Sequence, residues 1–298
     1  MHPEPHPLDY DWRFTPATRR DLAKRLGGHA LLCGTASVAS ELTHATSVDR
    51  NPSRQPDILA DISRDRPVDA RFDSVLLDPP WYPATTRRWL SWAAAHVDLG
   101  ARMFCTLWPE STRPSAPSER RVLLDDLASW STVILHPSTV AYATPLFEAE
   151  ALATRGLTRT ERRGDLLEIH IHTRPTLALP CPHHAVWQRF VIGHYQLALR
   201  VEPLASGPTG IAPHPGAVGW TFPSVSRRAN GRSAIGLWSS RHEVATVMGA
   251  DLPARLEQAL RRLPGPSLGQ LDPALTPLDS WHLPNRHDGL EFTWTHLE

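Results

Sequence analysis

From about residue 29 to residue 172 one pattern recurs: a short apolar run, a small or acidic residue at its end, then a stretch with helical spacing. The run in HALLCGTA (29–36) ends at Gly34, ATSVDRN ends at Asp49 and PDILADI at Asp61, and FDSVLLDPPWY, the clearest strand, stops at Asp78. ARMFCTLW (101–108), STVILH (131–136) and DLLEIHIH (165–172) read as further strands. Helices are expected at 16–26, where Thr15 caps, Pro16 suits the first turn and Gly27-Gly28 end it, and again after Gly34. Two more are expected in RRWLSWAAAHVDLG, closed by Gly100, and in SERRVLLDDLASW, with Ser118 as its cap. Buried strands alternating with helices pack as a mostly parallel sheet with helices on both faces. The fold class is therefore α/β. Ligands of such sheets bind beyond the carboxyl ends of the strands, which brings Gly34, Asp49, Asp61 and Asp78 to one edge.

After HTRPTLALPCP (172–182) the pattern changes. WQRFVIGHYQLALRVEPL reads as strand material and LPARLEQALRRL (252–263) as an amphipathic helix. A catalytic domain at 1–175 and a smaller α+β unit at 176–298, for substrate recognition, are the expected division. The Pro- and Ser-rich stretch 109–121 follows a strand end and reads equally as a mobile lid or a surface loop.

Charge narrows the function. Thirty-one basic residues balance thirty-one acidic ones, which argues against a protein that coats nucleic acid through bulk charge. A local patch is still present: Arg227, Arg228, Arg232 and Arg241 lie in an acid-free stretch flanked by Trp220 and Trp238. That composition suits phosphate contact with base stacking, and equally a solvated turn around a tryptophan-built core. The 3 cysteines (Cys33, Cys105, Cys181) are too far apart in the chain for a disulfide framework, so a reducing, cytoplasmic setting is expected. Neither Cys181-Pro182-His183-His184 nor the His170/His172 pair has the paired spacing of a zinc site, and no metal is expected. No basic-then-apolar leader and no eighteen-residue apolar run occur, so neither a secretory signal nor a membrane span is expected. Nucleophile-elbow and P-loop motifs are absent from the sequence.

Asp78-Pro79-Pro80-Trp81, at a strand end on the ligand edge, resembles a motif of S-adenosylmethionine-dependent amino-methyltransferases, which implies an amine as acceptor. An exocyclic amine on a base is a poor nucleophile because its lone pair is delocalised into the ring. A carboxylate (Asp78) and a backbone carbonyl (Pro79) can accept its two hydrogens and favour a pyramidal nitrogen. Consecutive prolines fix φ and bring no competing N–H. Trp81, with Tyr82 beside it and Trp108 at the next strand end, offers flat faces for a base.

The tetrapeptide resembles motif IV of the class I S-adenosylmethionine-dependent amino-methyltransferases, whose tryptophan version is frequent among adenine-N6 methyltransferases acting on RNA or DNA. Phe14-Thr15-Pro16 is similar to the aromatic-Thr-Pro element that precedes the first strand in one circular order of that family. The resemblance covers roughly residues 10–175. It implies a Rossmann-like methyltransferase sheet and S-adenosylmethionine as cofactor. Cys33, Gly34, Thr35 and Ala36 would form the cofactor loop, with Asp49 on the ribose hydroxyls and Asp61 on the cofactor adenine. The expected acceptor is a nucleic acid, RNA or DNA. The rivals are protein or small-amine methyl or aminopropyl transfer, and a catalytically inactive scaffold, suggested by a loop with one glycine and no acid at the strand end. An oligomer or a partner subunit that completes the enzyme is left open.

Overall fold

The computed structural model describes residues 12–50, 55–181, 187–192, 195–201, 207–224, 229–262, 266–283 and 290–291. They fall into two compact units. One comprises Trp12–Ala143 with Glu161–Pro182; the other is built from Thr144–Thr160 and the described residues of His183–Glu298.

The first unit is organised by an eight-stranded sheet. In chain order its strands are β1 (Arg13–Phe14), β2 (Ala30–Cys33), β3 (Ala45–Asp49), β4 (Ile58–Leu59), β5 (Ser74–Leu77), β6 (Arg102–Leu107), β7 (Ser131–Ala143) and β8 (Glu161–Ile171). Across the sheet they lie in the order β1-β7-β8-β6-β5-β2-β3-β4. The pairs β2–β3, β2–β5, β3–β4 and β5–β6 are parallel, whereas β8 runs antiparallel to both β6 and β7. This is the α/β, Rossmann-like sheet implied by the resemblance. Its strand order reverses between β2 and β5, which run out at Gly34 and Asp78, and the crevice of such a sheet opens at that reversal.

Helices α1 (Pro16–Arg25), α2 (Pro83–Ala94) and α3 (Ala116–Ala128) cover the sheet. Period-two alternation splits the strands between two cores. Leu32, Leu76, Phe104 and Leu166 pack with Leu22 of α1, Phe14 and Tyr142. Leu31, Val75, Leu77, Met103, Leu107 and Leu167 pack with Leu90 and Trp92 of α2 and with Leu123 and Leu127 of α3. Thr15 caps α1, its hydroxyl accepting from the Thr18 N–H at 3.4 Å.

Several elements depart from expectation. A six-residue 3-10 helix, Ala36–Glu41, follows Gly34. α2 starts at Pro83 and ends at Ala94, well before Gly100, and α3 starts at Ala116 with Ser115, not Ser118, at its cap position. β4 holds only Ile58–Leu59, so Asp61 lies in the turn beyond it. β7 runs past Pro137 to Ala143 through an irregularity between His136 and Val140.

The second unit holds a six-stranded antiparallel sheet in the order β11-β13-β12-β10-β9-β14. Its strands are β9 (Trp187–Ile192), β10 (Tyr195–Arg200), β11 (Gly210–Pro213), β12 (Leu237–Ser239), β13 (Val244–Met248) and β14 (Leu290–Glu291). The unit also contains α4 (Leu146–Ala153), α5 (Leu252–Arg261) and α6 (Leu268–Leu271). The amphipathic helix expected at 252–263 is α5; it lays Leu252, Leu256 and Leu260 on Leu197, Leu199, Leu237 and Val247. Each buried leucine contributes about 2 kcal/mol. No helix among the described residues is long and apolar enough to cross a membrane.

Candidate active site

Parallel register assembles the site. Leu77 pairs with Cys105 and with Cys33, so the next residues, Asp78, Thr106 and Gly34, sit side by side at the carboxyl edge. The Asp78 N–H donates to the Cys33 carbonyl at 3.1 Å. The Thr106 hydroxyl donates to Asp78 Oδ1 at 2.5 Å, and the Tyr142 hydroxyl donates to the same oxygen at 2.6 Å. Burial pushes the Asp78 carboxyl up, and the two hydrogen bonds pull it partly back, to about 6. Burial, and then the Asp78 charge, push the Tyr142 hydroxyl well above its ordinary range, so it stays a donor. Thr106 and Tyr142 were not singled out in the sequence. For Thr106 a signal existed, since it lies near the end of the strand next to the one that runs out at Asp78.

The aromatic residues are already partnered. Trp81 meets Tyr142 edge-on at 5.7 Å, and the Arg162 guanidinium lies 4.6 Å from the Trp81 ring centre and 5.3 Å from that of Trp12. Gly164 of β8 makes room for the indole: a Cβ there would come 2.9 Å from Trp81 Cζ2. On the other side of the motif Arg113 lies over Tyr82 (5.2 Å) and Trp108 (5.1 Å), and is ion-paired with Glu119. Trp108 itself is fully buried. The stretch 109–121, expected as a lid or a loop, holds a 3-10 turn at Glu110–Thr112, the Arg113–Glu119 ion pair and, from Ala116, the start of α3.

Gly34 has φ +66, and its N–H donates to the Val48 carbonyl at 3.0 Å. A Cβ at this position would lie 3.0 Å from Cη2 of Trp89 and 3.4 Å from the Asp78 carbonyl. Glycine suits such a turn best, and what approaches the backbone here is the Trp89 ring. Cys33 is buried, and burial pushes its thiol up. The buried Thr35 hydroxyl donates to the Leu76 carbonyl at 3.4 Å, and Ala36 opens the 3-10 helix. Asp49 ends β3, the strand beside β2, one step beyond Val48. A glycine-tight turn between two acids, on adjacent strand ends, fits a cationic sulfonium nucleoside. Asp61 is engaged locally: its Oδ1 accepts from the Ser63 N–H at 2.9 Å. Phe14 is buried with its ring 5.0 Å from that of Tyr142, and the Thr15 N–H donates to the Ala141 carbonyl, so Phe14 and Thr15 pack on the strand that carries Tyr142.

The basic patch is described only in part. Arg227 and Arg228 lie outside the described residues, as do His183 and His184. Arg232, expected to face a nucleic acid, is 8% exposed with its guanidinium 4.7 Å from the Trp238 ring, and Trp220 packs against Trp281. Arg241 pairs with Glu150. Arg232 thus packs on an indole, whereas Arg241 is half-exposed beside its carboxylate. Among the described residues no group of three His, Cys, Asp or Glu is arranged to hold a metal ion.

No family model matches the chain, and no curated protein matches it. Among solved structures, a mutein of the branched-chain polyamine synthase from Thermus thermophilus aligns over 61% of this chain and 64% of its own, at 14% identity and a TM-score of 0.47. The chain therefore spans less than two thirds of that synthase's length. An rRNA methylase from Streptococcus thermophilus aligns over 53% of this chain and 95% of its own, at 13% identity and a TM-score of 0.32. An N-methyltransferase from Bradyrhizobium japonicum aligns over 52% of this chain and 86% of its own, at 11% identity and a TM-score of 0.33.

Proposed function

We propose that the protein is an S-adenosylmethionine-dependent N-methyltransferase acting on an exocyclic amine, with adenine N6 of RNA or DNA as its favoured acceptor. The carrying observation is the asymmetry of Asp78: Thr106 and Tyr142 both donate to Oδ1, and Oδ2 takes part in neither bond. Oδ2 would accept one amine hydrogen and the Pro79 carbonyl the other, which returns the lone pair to the nitrogen. As the new N–C bond forms, the nitrogen sheds a proton, and Oδ2 of the ionised carboxylate would hold it before solvent takes it. Trp81, backed by Arg162, would border the base. A target base in a duplex would first have to be flipped out.

S-adenosylmethionine, when bound, supplies an electrophilic methyl group, so placement and charge are the protein's share and no metal is called for. The Gly34 turn with Cys33, Thr35 and Ala36 would hold it, Asp49 would take the ribose hydroxyls, and Asp61 would reach the adenine with the oxygen not used by Ser63. A second reading, a fold that holds RNA or a partner enzyme without transferring methyl groups, is favoured by the Trp89 ring packed against Gly34.

Calorimetric titration with S-adenosylmethionine and S-adenosylhomocysteine, on the natural protein and Asp49→Ala, is the first test. Micromolar binding weakened by the substitution is expected. Transfer of a labelled methyl group to RNA or DNA, lost in Asp78→Ala, would then separate the enzyme from the scaffold. Label appearing only on protein or polyamines would redirect the acceptor assignment. Absence of binding to either compound would overturn the enzyme reading.

A further inference from the structure

We propose that Tyr142 and Thr106 are positioning residues that commit Oδ1 of Asp78, so that the site offers an incoming acceptor one carboxylate oxygen and not two. The inference rests on the methyl-transfer reading, and it deepens that reading into a statement about which nitrogen the site accepts.

Rotation about the last bond of an aspartate is soft and nearly two-fold. A carboxylate left to itself would present both oxygens to a forked donor such as a guanidinium, the favoured geometry for that partner. Here two hydroxyls from two strands, β6 and β7, converge on one oxygen at 2.5 and 2.6 Å. Both strands are rigidly placed. Thr106 is fully buried in the sheet, and the Tyr142 ring is held by Phe14, Trp12 and Trp81. The carboxylate plane is thereby fixed. An amine that gives one hydrogen to Oδ2 and one to the Pro79 carbonyl suits the site, whereas a guanidinium needing both oxygens does not. The site is built for amine and amide-like nitrogens and against arginine side chains.

The same bonds keep the group ionised, because hydrogen bonds to the charged form of a carboxylate favour it. Among the described residues, the thiols and the hydroxyl near Asp78 titrate above the neutral range. Cys33 from β2 and Cys105 from β6 are thiols that burial pushes up, Tyr142 from β7 is pushed up as well, and the Arg162 guanidinium from β8 lies on the Trp81 ring.

Protein labelled with 13C at the aspartate carboxyls tests this directly, with Asp78→Asn identifying the resonance. The Asp78 midpoint is expected near 6 in the natural protein. Tyr142→Phe and Thr106→Val should each raise it by about one pH unit, and Thr106→Ser should restore it. Unchanged midpoints in both variants would overturn the proposal. In parallel, labelled methyl transfer to purified total RNA should show its acidic limb displaced upward in Tyr142→Phe, with S-adenosylhomocysteine affinity unchanged. Shifted midpoints with no label on RNA leave the anchor standing and remove the acceptor. Label on RNA with unshifted midpoints removes the anchor alone.

Discussion

Asp78 carries a carboxyl at about 6, above its ordinary value of 3.8, because burial penalises the charge more than Thr106 and Tyr142 relieve it. A group whose folded value is raised binds its proton more tightly in the native state. Its stabilising contribution is complete below about pH 4 and is lost as pH rises through about 6. Asp78→Asn is neutral throughout and can still accept from both hydroxyls. At pH 8 it should be more stable than the natural protein by about 1–2 kcal/mol, after discounting for partial exposure. The advantage should vanish near pH 4, and methyl transfer should be lost. Urea unfolding of both proteins at the two pH values measures this, and equal stabilities at pH 8 would contradict it. Gly34 makes the opposite prediction. Gly34→Ala puts a side chain at φ +66 and 3.0 Å from Trp89, which costs about 1–2 kcal/mol for the backbone alone. A lowered midpoint together with weakened S-adenosylhomocysteine binding is expected; unchanged binding would detach the turn from the cofactor.

Among the elements, α2 does more than cover the sheet. Arg88, 2% exposed, points its guanidinium at four carbonyls and no carboxylate: Ile62 at 3.2 Å, Arg64 at 3.1 Å, Ala178 at 2.7 Å, and Asp65. One side chain thus staples the turn after β4, and the 174–181 segment, to the helix that follows the Asp78 motif. The planar fork reaches acceptors that a lysine cannot span. Arg88→Lys should leave buried carbonyls unpaired and cost about 2–4 kcal/mol. A thermal midpoint within one degree of the natural protein would refute the staple. β2, β5 and β6 were legible in the sequence because strands buried on both faces are unbroken apolar runs. β4 was overread: it is an edge strand with two paired residues, and Asp61 lies just before the turn that the staple holds. Tyr142 was hidden for the converse reason. Pro137 reads as the end of STVILH, yet the strand tolerates it at an irregularity where the Ser138 N–H, at φ +53, donates to Asp165. Nothing local in the sequence announces that β7 resumes, or that its last turn of side chains reaches Asp78, 64 residues away in sequence.

The whole molecule carries separate cores for its two units. One is the pair of layers around the mostly parallel sheet, the other the layer that α5 and the 3-10 segment Pro273–Ser280 close over the antiparallel sheet. The Gly34 turn and the acids at the strand ends all belong to the first. A ligand held there stabilises only the unit that folds the site, by RT ln(1 + [L]/Kd), about 2.7 kcal/mol at a hundredfold excess over Kd. Scanning calorimetry should therefore resolve two transitions. Saturating S-adenosylhomocysteine should raise one of them by several degrees and leave the other in place, and Asp49→Ala should abolish most of that rise. Asp78→Asn, scanned at pH 8, should raise the same transition without ligand, which assigns it to the mostly parallel sheet independently of binding. If both transitions moved together with ligand, the two cores would form one cooperative unit. If Asp78→Asn moved one transition and the ligand neither, the carboxyl would be placed as described and the cofactor assignment would fall.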